Sequence, residues 1–329
     1  MNICVTGSSG YLGSLVLERL GEHPQVERIV GIDINEPRKK AEKLEFHRTD
    51  ITEEGLSEIM KGCDVLLHLA FIVEPILDYG RIYEINLHGT INVFLSAIKT
   101  GINKIVYTSS VAAYGILPDK PEVISLSTPI VKDTRSYYGH TKYLIEKFCD
   151  RIEELYPGVS ITRLRPSVVA GANCYNFFNE FVLFPLLMDV PHGAAVPLVH
   201  EEDLKDAVIN AIFSEAKGPF LVSCPESLSM KELAKLMKKP CPTLPPSFVF
   251  LIGKTLWKLR LSKFSMDWLY LVYENRYRSF DISRTREVLG WDPKKSARET
   301  AEELIQTASF SWMDFFKPRR FRIGGQRYR

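Results

Sequence analysis

Across the first 165 residues, short β-branched and apolar runs alternate with stretches whose apolar positions recur at helical spacing. That is the pattern of strands joined by helices in a parallel sheet. Strands are predicted at Asn2–Thr6, Arg28–Ile34, Leu44–Arg48, Asp64–Ala70, Lys104–Ser109 and Ser160–Arg165, with helices near 11–20, 53–61, 81–100 and 136–156. The strand segments are continuously apolar, as in Val65-Leu66-Leu67-His68-Leu69-Ala70. Both faces of such a sheet are covered, which makes the expected class an α/β, doubly wound parallel sheet.

Beyond Arg165 the pattern changes. Residues 166–200 are apolar, rich in Phe and Pro, and hold no Lys or Arg. A helix is expected near 201–215, a strand at Pro219–Ser223 and a helix near 229–238, after which Pro240, Pro242, Pro245 and Pro246 interrupt the chain. Phe248–Tyr273 is dense in Phe, Leu, Trp and Tyr with spaced Lys and Arg. It reads as a helical cap over a pocket, with a membrane-facing lid as the alternative.

The chain has 329 residues, 45% of them hydrophobic and 25% charged, which is ordinary for a globular protein. Its 42 basic and 40 acidic side chains nearly cancel. A chain built to coat nucleic acid and an acidic disordered chain are both excluded. Six widely spaced cysteines suggest no zinc knuckle or redox pair, and no metal is expected. No apolar run approaches the length of a membrane span, and Met1 leads at once into Ile3-Cys4-Val5 rather than a secretory signal. A soluble cytoplasmic protein is expected. Charge is uneven, however: Lys317–Arg329 carries six basic groups and no acid, leaving 36 basic against 40 acidic residues elsewhere.

Thr6-Gly7-Ser8-Ser9-Gly10-Tyr11-Leu12-Gly13 follows the first strand and opens an amphipathic helix. Gly7 permits the tight turn, Gly10 a close approach of backbone to a pyrophosphate, and Gly13 close helix–strand packing. The backbone around Ser9, Tyr11 and Leu12 then presents N–H groups to phosphate charge. Glycines also serve plain turns, but here strand, loop and helix come in the required order, and Asp33 closes the second strand twenty residues after Gly13. A carboxylate there accepts hydrogen bonds from ribose hydroxyls and repels a 2′-phosphate, so NAD is expected in preference to NADP. Arg38, Lys39 and Lys40 read as a solvated loop. Asp50 and Ile51 are expected near the adenine, with helix capping as the alternative for Asp50.

In Tyr137-Tyr138-Gly139-His140-Thr141-Lys142, Tyr138 and Lys142 share a helix face at i and i+4. An ammonium beside a phenol favours phenolate, giving an acid/base usable near neutral pH. Thr108-Ser109-Ser110 ends the fifth strand, where such folds bind ligands, so a hydroxyl there can donate to the oxygen that Tyr138 protonates.

Together these segments resemble the extended short-chain dehydrogenases/reductases, the NAD-dependent epimerase/dehydratase and 3β-hydroxysteroid-dehydrogenase-like family. The resemblance also rests on Asn86-Leu87-His88-Gly89-Thr90, Leu164-Arg165-Pro166, Leu198-Val199-His200 and Leu289-Gly290-Trp291. It implies a Rossmann-type sheet with a smaller, mostly helical C-terminal substrate-binding region. By position, Tyr138 resembles the acid/base, Lys142 its partner and ribose ligand, and Ser110 the residue that meets the substrate hydroxyl. Asn86 resembles the residue that supports the lysine. Leu69, Ala70 and Pro166 would line the cofactor, and Phe71, Val111, Ser167 and Val168 the substrate. His68 is expected either to accompany that turn or to be a satisfied core histidine. His140 faces elsewhere. Dimers through the helices near 81–100 and 136–156 are also implied.

Family dehydratases usually carry an Asp-Glu pair after the active hydroxyl, where this chain has Val111-Ala112. Many nucleotide-sugar enzymes place an Asn where this chain has Val168 and an Arg near Val196. The expected function is therefore NAD(P)-dependent hydride transfer at an alcohol or ketone of an apolar small molecule, with Phe177, Phe178, Phe181 and Phe184 among the candidate walls. The alternative is an NAD-dependent nucleotide-sugar epimerase holding its diphosphate through Lys254, Lys258, Arg260 or Arg276. A non-catalytic NAD(P)-binding scaffold or redox sensor is the third reading. The expected division is a cofactor-binding domain at 1–165, a substrate-binding region at 166–310 and a basic tail at 311–329. Ser311–Phe316 and the arginines beyond it offer weak contact with an anionic membrane surface, or else a solubilising tail.

Overall fold

Seven parallel strands form the central sheet of the computed structural model: β1 Asn2–Thr6, β2 Arg28–Asp33, β3 Leu44–Arg48, β4 Val65–His68, β5 Lys104–Thr108, β6 Ser160–Pro166 and β7 Gly218–Val222. The structure describes residues 1–37, 41–73, 78–116, 121–173, 185–259, 265–274, 278–307, 321–323 and 326–328. Strand order is β7-β6-β5-β4-β1-β2-β3. The chain reverses its direction of travel across the sheet between β1 and β4, and a doubly wound sheet opens a crevice at such a point. Each predicted strand is present, shifted by two residues at most.

Alternate strand residues feed opposite faces. Ile3, Val5, Leu67 and Val106 pack with Val16 and Leu20 of α1 (Tyr11–Glu22) and with Leu204 and Val208 of α6 (Glu201–Phe213). On the other face Cys4, Leu66 and Ile105 meet Phe94 of α4 (Thr90–Lys99) and Ile145 of α5 (Tyr137–Leu155). The helix expected near 53–61 contracts to α2, Leu56–Ile59. The one near 81–100 begins as α3 (Tyr79–Tyr83) and widens to a π-helical stretch at Glu84–Gly89 before α4. Periodicity does not register such a wide turn, which commonly marks a functional position. Ser136 starts α5 by accepting the Gly139 N–H at 3.1 Å.

A second apolar core is built from later residues. Val196 and Leu198 pack there with Met230 and Leu233 of α7 (Met230–Leu236), Val249 of α8 (Pro246–Lys258), Tyr273 of α9 (Met266–Tyr273) and Ala301 of α11 (Ala297–Thr307). α10, Ser283–Leu289, joins the first core. Strand β7 and helix α6 belong to the central sheet and its cover, although both follow residue 166. In the tail, Phe321–Ile323 pairs antiparallel with Gln326–Tyr328. Ser311–Phe316, Lys317, Arg319, Arg320 and Arg329 lie outside the described residues.

The end of β6 is fastened to α5 by a buried ionic cluster. Glu146 receives Arg165 through two parallel bonds, Nε to Oε1 at 2.8 Å and Nη2 to Oε2 at 2.9 Å. The Ser109 hydroxyl adds a third at 2.6 Å, and Arg163 lies 3.3 Å from the same carboxylate. Arg165 also donates to the Tyr114 hydroxyl at 2.9 Å. Removing one partner leaves an uncompensated buried charge. Arg165→Met is expected to lower the unfolding free energy by about 3–5 kcal/mol. Adding Glu146→Gln should restore part of it, because Arg163 retains Asp150 and Glu153. Urea unfolding of the unsubstituted protein and the two variants measures both effects.

Candidate active site

Where the sheet reverses, the loop after β1 runs against the loop after β4. Gly7 has φ +72°, and a Cβ there would sit 2.6 Å from the Ala70 nitrogen. A Cβ on Gly13 would overlap the Gly7 carbonyl oxygen. Glycine at both positions lets α1 start directly behind the loop. Gly10, its N-cap, supplies no side-chain cap, and the first turn carries no acid. No acid of the helix's own first turn therefore neutralises its positive end, which faces the crevice as an anion site requires.

A cavity of about 570 Å³ begins at this helix end. Gly7, Gly10, Tyr11, Leu12, Gly13 and Asp33 line it, joined by Asp50, Ile51, Leu69 and Ala70. Ser9 does not line it. Its N–H donates to Asp33 Oδ2 at 3.0 Å and its hydroxyl to the Asn35 carbonyl at 2.6 Å, so it braces the carboxylate. The Asn35 N–H holds the other oxygen at 2.9 Å. Burial pushes the Asp33 pKa up against these bonds. Asp50 accepts the Thr52 N–H at 2.9 Å and its hydroxyl at 2.8 Å, so it caps the turn while also facing the cavity. Asn35 and Thr49 complete this end. Sequence reading missed them, although the Asp33-x-Asn35 spacing is that of an Asx turn. Arg38, Lys39 and Lys40 lie outside the described residues.

Thr108, Ser110, Tyr138, Lys142 and Pro166 line the same cavity. Glu146 turns the Ser109 hydroxyl into the core. Ser110 accepts the Ala112 N–H at 3.1 Å and is hydrogen-bonded to the Tyr138 phenol. Lys142 Nζ donates to the Thr108 carbonyl at 2.8 Å and the Tyr107 hydroxyl at 3.1 Å, and lies 3.6 Å above the centre of the Phe71 ring. The expected depression of the phenol pKa is absent. Burial pushes Tyr138 up to about 12 and Lys142 down to about 7, the Ser110 bond opposing the first shift and the Glu146 charge the second. Desolvation outweighs the mutual effect because Nζ is directed at Thr108 and stands 5.8 Å from the centre of the Tyr138 ring.

Asn86 also departs from its expected partner. Its side-chain oxygen accepts the Ile72 N–H at 2.7 Å and its nitrogen donates to the Ile72 carbonyl at 2.9 Å, pinning the loop that carries Phe71. His68 is a satisfied core histidine, with Nδ1 2.7 Å from Thr6 Oγ1 and Nε2 2.9 Å from Thr90 Oγ1. The Thr90 hydroxyl proton goes to the Asn86 carbonyl, so Nε2 is the protonated ring nitrogen. Burial holds the His68 pKa near 3 and the ring neutral. His140 faces away, paired with the Tyr83 hydroxyl at 2.6 Å.

Beyond Tyr138 the cavity is walled by Phe71, Val111, Ser167, Val168, Val196 and Val272. Among the described lining residues, Lys142 is the sole cation. Lys254 and Lys258 are exposed on α8, away from the lining. Arg260, Arg276, Phe177, Phe178, Phe181 and Phe184 lie outside the described residues.

The model of the NAD dependent epimerase/dehydratase family matches residues 3–206. The chain belongs to that family. NAD, the cofactor expected from Asp33, is the one in the family's name. UDP-glucuronic acid decarboxylase 3 of Arabidopsis thaliana is 26% identical over 324 residues, covering 91% of this chain and 86% of that protein. An uncharacterized protein of Sinorhizobium fredii is 25% identical, covering 99% and 82%. Among solved structures, MoeE5 in complex with UDP-glucuronic acid and NAD superposes with TM-score 0.74 at 17% identity, covering 93% of this chain and 98% of that one. UDP-glucuronic acid 4-epimerase from Bacillus cereus gives 0.72 at 19%, covering 94% and 98%. At those identities the likeness establishes the family's fold.

The lysine at the centre of this site has a stability signature. With its folded pKa near 7 against an ordinary 10.5, the unfolded chain binds the extra proton between those values. Its cost to stability is greatest below pH 7 and fades as pH rises towards 10.5. Lys142→Met should therefore gain more stability over the unsubstituted protein at about pH 6 than at about pH 9. Urea unfolding without nucleotide measures this; a difference independent of pH would mean that the ammonium is hydrated.

Proposed function

We propose that this family member performs NAD-dependent hydride transfer at a secondary alcohol or ketone of a neutral, apolar small molecule. The observation that carries the reading is the apolar wall beyond Tyr138, in which Val168, Val196 and Val272 stand and Lys142 is the sole described cation. A diphosphate calls for several donors, preferably arginine, at its oxygens. Residues 1–165 would serve mainly the cofactor and residues 166–310 mainly the substrate.

In this reading the glycine loop and the first turn of α1 hold the pyrophosphate, Asp33 the adenosine ribose, and Leu69, Ala70 and Pro166 the remaining faces. Bound NAD supplies the two-electron hydride exchange. Ser110 and Tyr138 bracket the substrate oxygen. The phenol gives its proton to a carbonyl oxygen during reduction and recovers it during oxidation. A Tyr138 pKa near 12 keeps that proton in place at neutral pH and suits the reductive direction. The Lys142 ammonium, fixed by Thr108 and Tyr107, lowers the energy of the phenolate formed in the step. Asn86 is a positioning residue acting through Ile72 and the Phe71 loop.

The second reading, nucleotide-sugar epimerisation, is favoured by the names of the Arabidopsis relative and of the superposed structures. Purified protein assayed with NAD and NADH against hydrophobic alcohols, ketones, UDP-sugars and dTDP-sugars separates the two. Turnover of the apolar compounds is expected, with Tyr138→Phe lowering kcat by about 10²–10⁴. Turnover confined to sugar nucleotides would transfer the assignment to the second reading. NAD binding with no turnover of any of these compounds would favour the non-catalytic scaffold, and an unaltered rate in Tyr138→Phe would remove this phenol from the mechanism.

A further inference from the structure

Helix α8 presents an apolar stripe to solvent. Val249 and Gly253 face inward, while Phe248, Leu251 and Leu259, the residue that ends the helix, are 52%, 59% and 62% exposed. Phe248, Leu251, Thr255 and Leu259 follow the i, i+3, i+7, i+11 spacing of one helix face. Exposed Lys254 and Lys258 run along its flank. The charge around it is one-sided: from Leu233 to Met266 the chain has seven Lys and Arg and no Asp or Glu, whereas the whole protein carries only +2. An amphipathic helix with apolar side chains outward, flanking cations and no acid suits an interfacial position on an anionic bilayer. Among the described residues no helix is long and apolar enough to cross a membrane.

The stripe also has a route to the cavity. Gly253 of α8 lies against Leu269 of α9, where a Cβ would overlap the leucine side chain, and the Phe250 and Tyr270 rings stand 4.9 Å apart. On the same α9, Leu271 and Val272 line the cavity. One element thus touches the site, and its packed neighbour carries the exposed apolar stripe.

We propose that α8 seats this enzyme on an anionic lipid surface, placing the α9 wall of the cavity beside the bilayer from which an apolar substrate is drawn. The second clause rests on the substrate class proposed above; the first stands on the helix alone.

Co-sedimentation of the full chain with phosphatidylcholine vesicles, with and without phosphatidylserine, tests the seat without reference to turnover. Binding is expected only with the anionic lipid and should weaken with salt. The variant Lys254→Glu with Lys258→Glu should lose at least roughly 30-fold in affinity. Phe248→Ser, Leu251→Ser and Leu259→Ser together should abolish binding while NAD affinity and the melting temperature are retained, which separates lost docking from lost folding. Equal binding by the triple variant, or no binding by the unsubstituted protein, overturns the proposal. So does a lipid-free dimer that the triple variant dissolves, which would assign the stripe to a second copy. A protein that binds vesicles yet turns over only sugar nucleotides sinks the substrate class and leaves the seat. An active alcohol dehydrogenase indifferent to vesicles does the reverse.

Discussion

The carboxylate of Glu146 sits at the junction on which the site depends. It lies on α5 one and two helical steps beyond Lys142 and Tyr138, so the three side chains share a face at i, i+4 and i+8. From there it clasps Arg165 and so fixes the end of β6, from which Pro166, Ser167 and Val168 enter the cavity. It also draws the Ser109 hydroxyl inward, leaving the next serine to meet Tyr138. Its charge opposes the desolvation of Lys142. A buried carboxylate is costly unless multiply paired, and here two guanidinium groups and a hydroxyl offset that cost.

Desolvation gives the site its electrostatic character. Burial among the cavity's apolar walls pushes the phenol and the ammonium towards their neutral forms. Sequence spacing suggested a lysine-activated phenolate. The fold instead directs Nζ to the Thr108 carbonyl and over Phe71, and Asn86 holds Phe71 there by gripping Ile72 through both side-chain atoms. One short loop, the segment after β4, therefore both lines the cavity and packs against the Lys142 ammonium. The π-helical turn that delivers Asn86 leaves no trace in hydrophobic periodicity.

The cap joins the cavity to the outer surface. Helices α8 and α9 pack closely through a glycine, one beside the cavity and the other towards solvent. A substrate with little charge has its natural reservoir in an apolar phase. The apolar cavity wall and the exposed apolar stripe with its flanking lysines lie on these two adjacent elements.

The sequence alone determined the doubly wound class, each strand of the sheet to within two residues, the glycine cradle with Asp33, and the Ser110, Tyr138, Lys142 group. All of these are local: continuous apolar runs specify strands buried on both faces, glycines are required where backbones nearly touch, and i, i+4 spacing fixes a helix face. Only the tertiary structure decided what depends on contacts between distant segments. It assigned Asn86 to Ile72, turned Ser9 from the cavity to brace Asp33, joined Arg165 to Glu146, and placed β7 in the sheet and α6 in its cover. It also set the direction of the two central pKa shifts, because desolvation depends on which walls close around a group, and no spacing along the chain encodes that.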